Sequence, residues 1–154
     1  TVLDELIDSV LMKFSKKHPN QKVITQIPEE FVDIPMDSLL IEQVLMNLLE
    51  NAVFHAKGMT ELMLSVSLAG DKAVFEVSDN GCGLPEDALQ KIFTGSYEKS
   101  AAPVDGTRRN MGIGLSVCAA IVKAHGSDIT AENRKGGGAV FRFALERGCE
   151  DDGQ

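Results

Sequence analysis

The chain has 154 residues, 44% hydrophobic and 25% charged, with a formal net charge of −8. A chain near this length hides roughly 68–70% of its unfolded surface, so one domain with a real core is expected. The acidic balance argues against nucleic acid as a main partner, because duplex binding needs clustered Lys and Arg; it leaves a nucleotide open, which needs only a few N–H groups, cations or a metal ion.

Residues 2–17 place Leu3, Leu6, Ile7, Val10, Leu11 and Phe14 at helical spacing. Acidic residues lie early and lysines late, which suits the helix dipole, and His18-Pro19-Asn20 stops the run. Val23–Ile27 reads as a short strand, followed by a loop containing Pro28 and Pro35. Asp37 or Ser38 can cap a second helix running to about Ala56. Leu40, Ile41, Val44, Leu48 and Ala52 form its core stripe; Asn47, Asn51, Phe54 and His55 form a second, mostly polar one. Two alternating strands follow, Leu62–Leu68 and Ala73–Val77, joined by a turn at Gly70-Asp71.

Asp79-Asn80-Gly81-Cys82-Gly83-Leu84-Pro85 ends the second of these strands, and a short helix with Leu89, Ile92 and Phe93 inward comes next. From Thr94 to Met111 the chain is polar and unpatterned, the signature of a lid or binding loop. Gly112-Ile113-Gly114-Leu115 is expected to open a helix carrying Val117, Ile121, Val122 and Ala124, closed by Gly126. Ile129–Asn133 and Ala139–Leu145 form a last hairpin through Lys135-Gly136-Gly137-Gly138. The order α-β-α-β-β-α-lid-α-β-β fits an α+β sandwich, a mixed sheet with helices on one face.

The three cysteines, Cys82, Cys118 and Cys149, show no pairing pattern, so a reducing cytosol is expected. No run approaches the roughly 18 apolar residues of a membrane span. The start at Thr1, without Met or a basic leader, suggests a piece of something longer. Residues 1–147 are expected to form the domain and 148–154 a disordered tail.

Two glycine clusters flank the lid, and glycines let a backbone approach phosphates closely. Neither fits the phosphate-binding G-x-x-x-x-G-K-[ST] loop or the dinucleotide G-x-G-x-x-G unit. Taken alone, Asp79-Asn80-Gly81 is an ordinary turn. In combination the chain resembles the superfamily of gyrase, Hsp90, histidine kinases and MutL (GHKL, with the Bergerat fold). Asn47-Leu48-Leu49-Glu50-Asn51-Ala52 looks like its N box, Asp79 to Pro85 its G1 box, and Lys91-Ile92-Phe93 the F box of histidine kinases. Gly112-Ile113-Gly114-Leu115-Ser116 looks like the G2 box and Gly137 to Phe141 the final glycine-rich hairpin. The motifs keep the family's order and span about residues 37–145. Ile41–Val53 and Ala120–Gly126 are most similar to the potassium-responsive Kdp sensor kinases.

The resemblance implies a catalytic domain that binds ATP and Mg²⁺ under an ATP lid and phosphorylates a histidine. Asp79 would accept a hydrogen bond from the adenine amino group, a job for an acceptor-only carboxylate; otherwise it is a turn residue. Asn51 would bind Mg²⁺ through its side-chain oxygen, with Asn47 lining the phosphate region; otherwise both are polar helix positions. ATPase branches of the superfamily carry a Glu at the place of Asn47, which cannot act as a base, so the site looks built for transfer rather than hydrolysis. Gly81, Gly83, Gly112, Gly114 and Leu115 would approach the nucleotide, Phe93 would anchor the lid with Tyr97, and His55 would be a pocket wall. Arg108 and Arg109, just before the G2 glycines, would reach the phosphates; the plainer reading is a solvated charge pair.

None of His18, His55 and His125 lies in the family's phosphoacceptor motif. The acceptor is therefore expected on a dimerisation domain of the same protein, with a response regulator downstream, the parent attached to a membrane and this fragment a cytoplasmic monomer. Phe54 stands where the N box usually has Lys, and Asn110 where the G2 box often has Gly. Asn51-Ala52-x-x-His55-Ala56 is also similar to anti-sigma-factor serine kinases, and a nucleotide-binding module without catalysis is the third reading.

Overall fold

The structure, a computed structural model, describes residues 1–55, 58–84 and 106–147, with the backbone alone at 55 and over 106–114. In chain order the elements are α1 (Leu3–Lys17), β1 (Ile24–Gln26), α2 (Ser38–His55), β2 (Leu62–Ala69), β3 (Lys72–Asp79), α3 (Gly106–Ala124), β4 (Thr130–Asn133) and β5 (Ala139–Glu146). The described strands make one five-stranded sheet in the order β1-β2-β3-β5-β4. It is mixed: β1 runs parallel to β2 and every other pairing is antiparallel.

Alternation decides which face of the sheet is covered. Leu62, Leu64 and Val66 on β2, Ala73, Phe75 and Val77 on β3, and Ala139, Phe141, Phe143 and Leu145 on β5 are buried. The register pairs Leu64 with Val77, Phe75 with Phe143, and Val77 with Phe141, so these side chains form one continuous layer. Phe75 and Phe143 stack with centroids 5.0 Å apart. The opposite face is polar, where Arg142 bridges Glu76 of β3 at 2.6 Å and Glu132 of β4 at 3.0 Å. The result is the α+β two-layer sandwich expected, with β1 shorter than the Val23–Ile27 reading.

Helix α2 lies centrally, between α1, α3 and the sheet. Asp37 caps it, accepting the Leu40 N–H at 3.2 Å. Because three neighbours surround it, its buried arc exceeds a single stripe: Leu45 and Leu49 are buried beside Ile41, Val44, Leu48 and Ala52. Leu40, expected inward, is 38% exposed. Helix α1 behaves as its pattern predicts, burying Leu3, Leu6, Ile7, Val10 and Phe14. Glu42 of α2 is buried between them and receives hydrogen bonds from Ser9 and Lys13 of α1. Burial alone would push its carboxyl pKa up; the Lys13 and Ser9 donors outweigh that and hold it below its ordinary value.

Helix α3 corrects the sequence reading. It begins at Gly106, not Gly112, so Gly112 and Gly114 lie inside it. The residues between, Thr107-Arg108-Arg109-Asn110-Met111, contain no proline, and Arg and Met are good helix formers. Elongation from the packed apolar turns thus carries through two glycines that each cost about 1 kcal/mol relative to Ala. Leu115, Cys118, Ile121 and Val122 face inward, whereas Val117, expected inward, is 38% exposed. Gly126, at φ 83°, supplies the left-handed residue that ends the helix. The short helix at Leu89–Phe93, the lid from Thr94 and the tail at 148–154 lie outside the described residues.

Candidate functional site

At the end of β3 the sheet opens into a narrow cleft lined by Asn51, Ala52, Asp79, Gly83, Leu84, Ala139 and Phe141. Its walls are largely apolar, and two buried polar side chains line it. Asp79 is 5% exposed, held there because it continues the inward face of β3 after Ala73, Phe75 and Val77. Its Oδ1 accepts the Gly81 N–H at 2.8 Å, which closes the turn and leaves the remaining carboxylate lone pairs unspent on that bond. Asn51 comes from α2 and is 8% exposed. Among the described residues its Oδ1 is buried without a hydrogen-bond partner. A buried acceptor left unsatisfied costs about 1–3 kcal/mol, which a structure does not keep without reason.

Asn47, one turn before Asn51, is turned toward α3. Its Nδ2 donates to Cys118 Sγ at 3.6 Å, and it is not among the residues lining the cleft. Burial pushes the Cys118 thiol up to about 11, so it stays protonated and serves as a weak neutral acceptor. Leu115 is buried in the core rather than at the cleft. Gly83 lines the cleft with φ 78°, and Gly81 carries the N–H that Asp79 holds. The side chains of His55, Arg108 and Arg109, and all of Phe93 and Tyr97, lie outside the described residues, as do contacts of Gly112 and Gly114 beyond their helical backbone.

Several residues that hold the site were not singled out from sequence. Asn80 Oδ1 accepts the N–H groups of Thr60 and Glu61, each at 2.8 Å, pinning the G1 loop to the start of β2. Arg134 Nη1 donates to the Asp79 carbonyl at 2.8 Å. Asn133 donates to the Leu84 carbonyl at 2.8 Å and accepts the Leu84 N–H at 2.7 Å. Gly138, at φ 99°, lies so close that a Cβ there would stand 1.9 Å from the Asp79 carbonyl oxygen. Asn80 and Gly138 were visible only as members of the Asp79–Pro85 and glycine-rich hairpin motifs, and Asn133 and Arg134 only by standing next to that hairpin's turn, which marks close backbone approach but not what is approached.

Asn51 fits a magnesium ion. No cluster of three or more His, Cys, Asp or Glu among the described residues could form an all-protein cage. A single buried amide oxygen without a partner is one hard oxygen donor that a Mg²⁺ held mainly by phosphates and water could take.

Residues 36–148 match the family described as histidine kinase-, DNA gyrase B-, and HSP90-like ATPase. Over 147 residues, 95% of this chain, the sequence is 37% identical to the sensor protein KdpD of Clostridium acetobutylicum. It is 38% identical to KdpD of Escherichia coli over 146 residues, 93% of the chain. The chain spans only 16% of the length of each. The solved catalytic domain of the histidine kinase ThkA, free of nucleotide, is similar with a TM-score of 0.78 at 28% identity, covering 94% of this chain and 92% of that one. ThkA is also solved in complex with the response regulator protein TrrA; that structure has a TM-score of 0.76 at 27% identity, covering 96% of this chain and 41% of that one. The fold is thus that of histidine kinase catalytic domains, and the chain belongs to the histidine kinase-, DNA gyrase B-, and HSP90-like ATPase family.

Proposed function

We propose that this chain is the catalytic domain of a Kdp-like sensor histidine kinase, which binds Mg·ATP and passes the γ-phosphoryl group to a histidine on a dimerisation domain of the same protein. The observation that carries this reading is one cleft presenting a buried carboxylate, Asp79, and an orphaned amide oxygen, Asn51, between apolar walls. A flat heterocycle would lie against Ala52, Leu84, Ala139 and Phe141, the narrow cleft widening to admit it, with its amino edge on the Asp79 carboxylate. Guanine would set a carbonyl against that acceptor, so the site selects adenine. Asn51 would hold Mg²⁺, which would supply charge neutralisation on the phosphates. Asn47 offers an amide engaged with Cys118 and no base to activate water, which favours holding ATP over hydrolysing it.

Gly81, Gly83, Gly112, Gly114 and Leu115, with Arg108, Arg109, Phe93 and His55, remain the residues assigned to the phosphates, lid and pocket wall. A role for the N–H groups of Gly112 and Gly114 requires α3 to start later than Gly106 when nucleotide is bound, because interior helical N–H groups are already spent. A response regulator would receive the phosphoryl group next, as the TrrA complex of ThkA suggests. The parent would be membrane-attached with this domain in the cytoplasm; among the described residues no helix is long and apolar enough to cross a membrane.

The test is calorimetric titration of ATP, with and without Mg²⁺, into the wild type and Asp79→Asn. Binding that depends on Mg²⁺ and vanishes in the variant, with the circular dichroism spectrum unchanged, is expected. Equal binding by both proteins would reject adenine at Asp79.

A further inference from the structure

The hairpin between β4 and β5 does more at the cleft than close the sheet. Asn133, the last residue of β4, reaches Leu84 with both ends of its amide. It accepts the Leu84 N–H at 2.7 Å and donates to the Leu84 carbonyl at 2.8 Å. A backbone N–H can only donate and a carbonyl only accept, so the amide orientation is fixed. One residue on, Arg134 Nη1 donates to the Asp79 carbonyl at 2.8 Å, while its own N–H is held by Gly138 at 2.8 Å. The two ends of the loop from Asp79 to Leu84 are thus tied to two adjacent side chains of one turn. Strand pairing does not supply these ties: the β3–β5 register ends at Ser78 with Val140.

We propose that Asn133 and Arg134 are positioning residues of the nucleotide site, a clamp that sets the distance between the Asp79 carboxylate and the Leu84 wall. The inference rests on the cleft being the ATP site. Neither side chain lines the cleft, so neither is a nucleotide ligand. Both act by fixing backbone that carries the two lining residues. Without the Asn133 bonds, Leu84 is free to drift from the cleft and the adenine slot must be ordered anew on each binding event, which weakens affinity. Asn133 is itself exposed, so its replacement removes the tie without opening a core cavity.

The experiment compares the wild type with Asn133→Ala, Asn133→Asp and Arg134→Ala in three readouts: amide exchange at Leu84 without nucleotide, Mg·ATP affinity by calorimetry, and Tm. Two lost neutral hydrogen bonds predict an affinity about tenfold weaker in Asn133→Ala. Leu84 exchange should be faster in that variant and Tm nearly unchanged. Asn133→Asp keeps the acceptor for the Leu84 N–H but loses the donor, so it should fall between Ala and Asn. Arg134→Ala should weaken binding several-fold, roughly one charge-assisted hydrogen bond, while leaving Leu84 exchange alone. Faster Leu84 exchange with unchanged ATP affinity overturns the positioning role. Unchanged exchange overturns the clamp. Affinity loss that merely tracks a falling Tm shows a structural role and overturns it too. A wild type that binds no ATP removes the site reading itself, and is distinct because the failure precedes any substitution.

Discussion

At the scale of single residues, the cleft is held in a state that costs stability. Asn51 keeps a buried oxygen without a partner beside apolar Ala52 and Phe141. Replacing it with a similarly sized apolar side chain removes that penalty. Asn51→Leu should therefore unfold at higher denaturant concentration, by about 1 kcal/mol, while losing all Mg²⁺ sensitivity of ATP binding. Urea melts and calorimetry on the same preparation check both halves; a less stable variant would mean that the amide nitrogen contributes more than the oxygen costs. Gly138 shows the opposite constraint. Its φ of 99° and the 1.9 Å that would separate a Cβ from the Asp79 carbonyl oxygen leave no room for a side chain. Gly138→Ala must displace the Asp79 backbone, so it is expected to cost about 1–3 kcal/mol of stability and to abolish ATP binding, read by thermal melts and titration.

At the scale of elements, pattern reading succeeded where one neighbour decides burial and failed where several do. The period-2 alternation of β2, β3 and β5 marks most of their inward faces, because a sheet has only two sides; the exceptions are Leu68, only partly buried, and Val140, buried on the other face. Helix α2 was read with one stripe and has a broad buried arc, because α1 and α3 flank it as well as the sheet. The start of α3 was read from its glycines, but helix elongation from a packed segment outweighs two glycine penalties. The site residues followed the same division. Asp79 and Asn51 were legible because their chemistry is in a local motif. Asn133 and Arg134 were not, because a bond to a backbone group some fifty residues away leaves no local trace.

The contact between α1 and α2 carries a prediction of its own. Glu42 has its carboxyl pKa below the ordinary value, so it stabilises the fold at pH values above the unfolded carboxylate range. That contribution fades as pH falls through its folded pKa and the carboxylate takes up a proton. Urea melts from neutral to acid pH should show Glu42→Gln less stable than the wild type at neutral pH, with the gap narrowing in acid. A gap that stayed constant would mean that the Ser9 and Lys13 bonds do not depend on the charge.

At the scale of the whole molecule, what the chain lacks follows from where its histidines sit. A phosphoacceptor must offer an imidazole nitrogen to the γ-phosphorus in line with the leaving oxygen. His18 has its ring 4.9 Å from that of Phe14 and its Nε2 3.0 Å from Glu50 Oε2. His125 uses both nitrogens: Nδ1 donates to the Ile121 carbonyl at 2.8 Å and Nε2 accepts the Asp37 N–H at 3.0 Å. That pair requires the neutral tautomer with the proton on Nδ1, and it ties the end of α3 to the cap of α2. Neither histidine lines the cleft, which leaves His55 at the end of α2. The chain incubated alone with γ-labelled ATP and Mg²⁺ should therefore stay unlabelled. Adding a separately expressed helical dimerisation domain from a Kdp sensor kinase should produce acid-labile label on that domain, and Asp79→Asn should abolish it. If the chain labelled itself, His55→Gln would decide the matter. Loss of label would make this a self-phosphorylating domain; persistence would place the label on another residue, His18 or His125 if it is acid-labile and a different residue class if it is acid-stable.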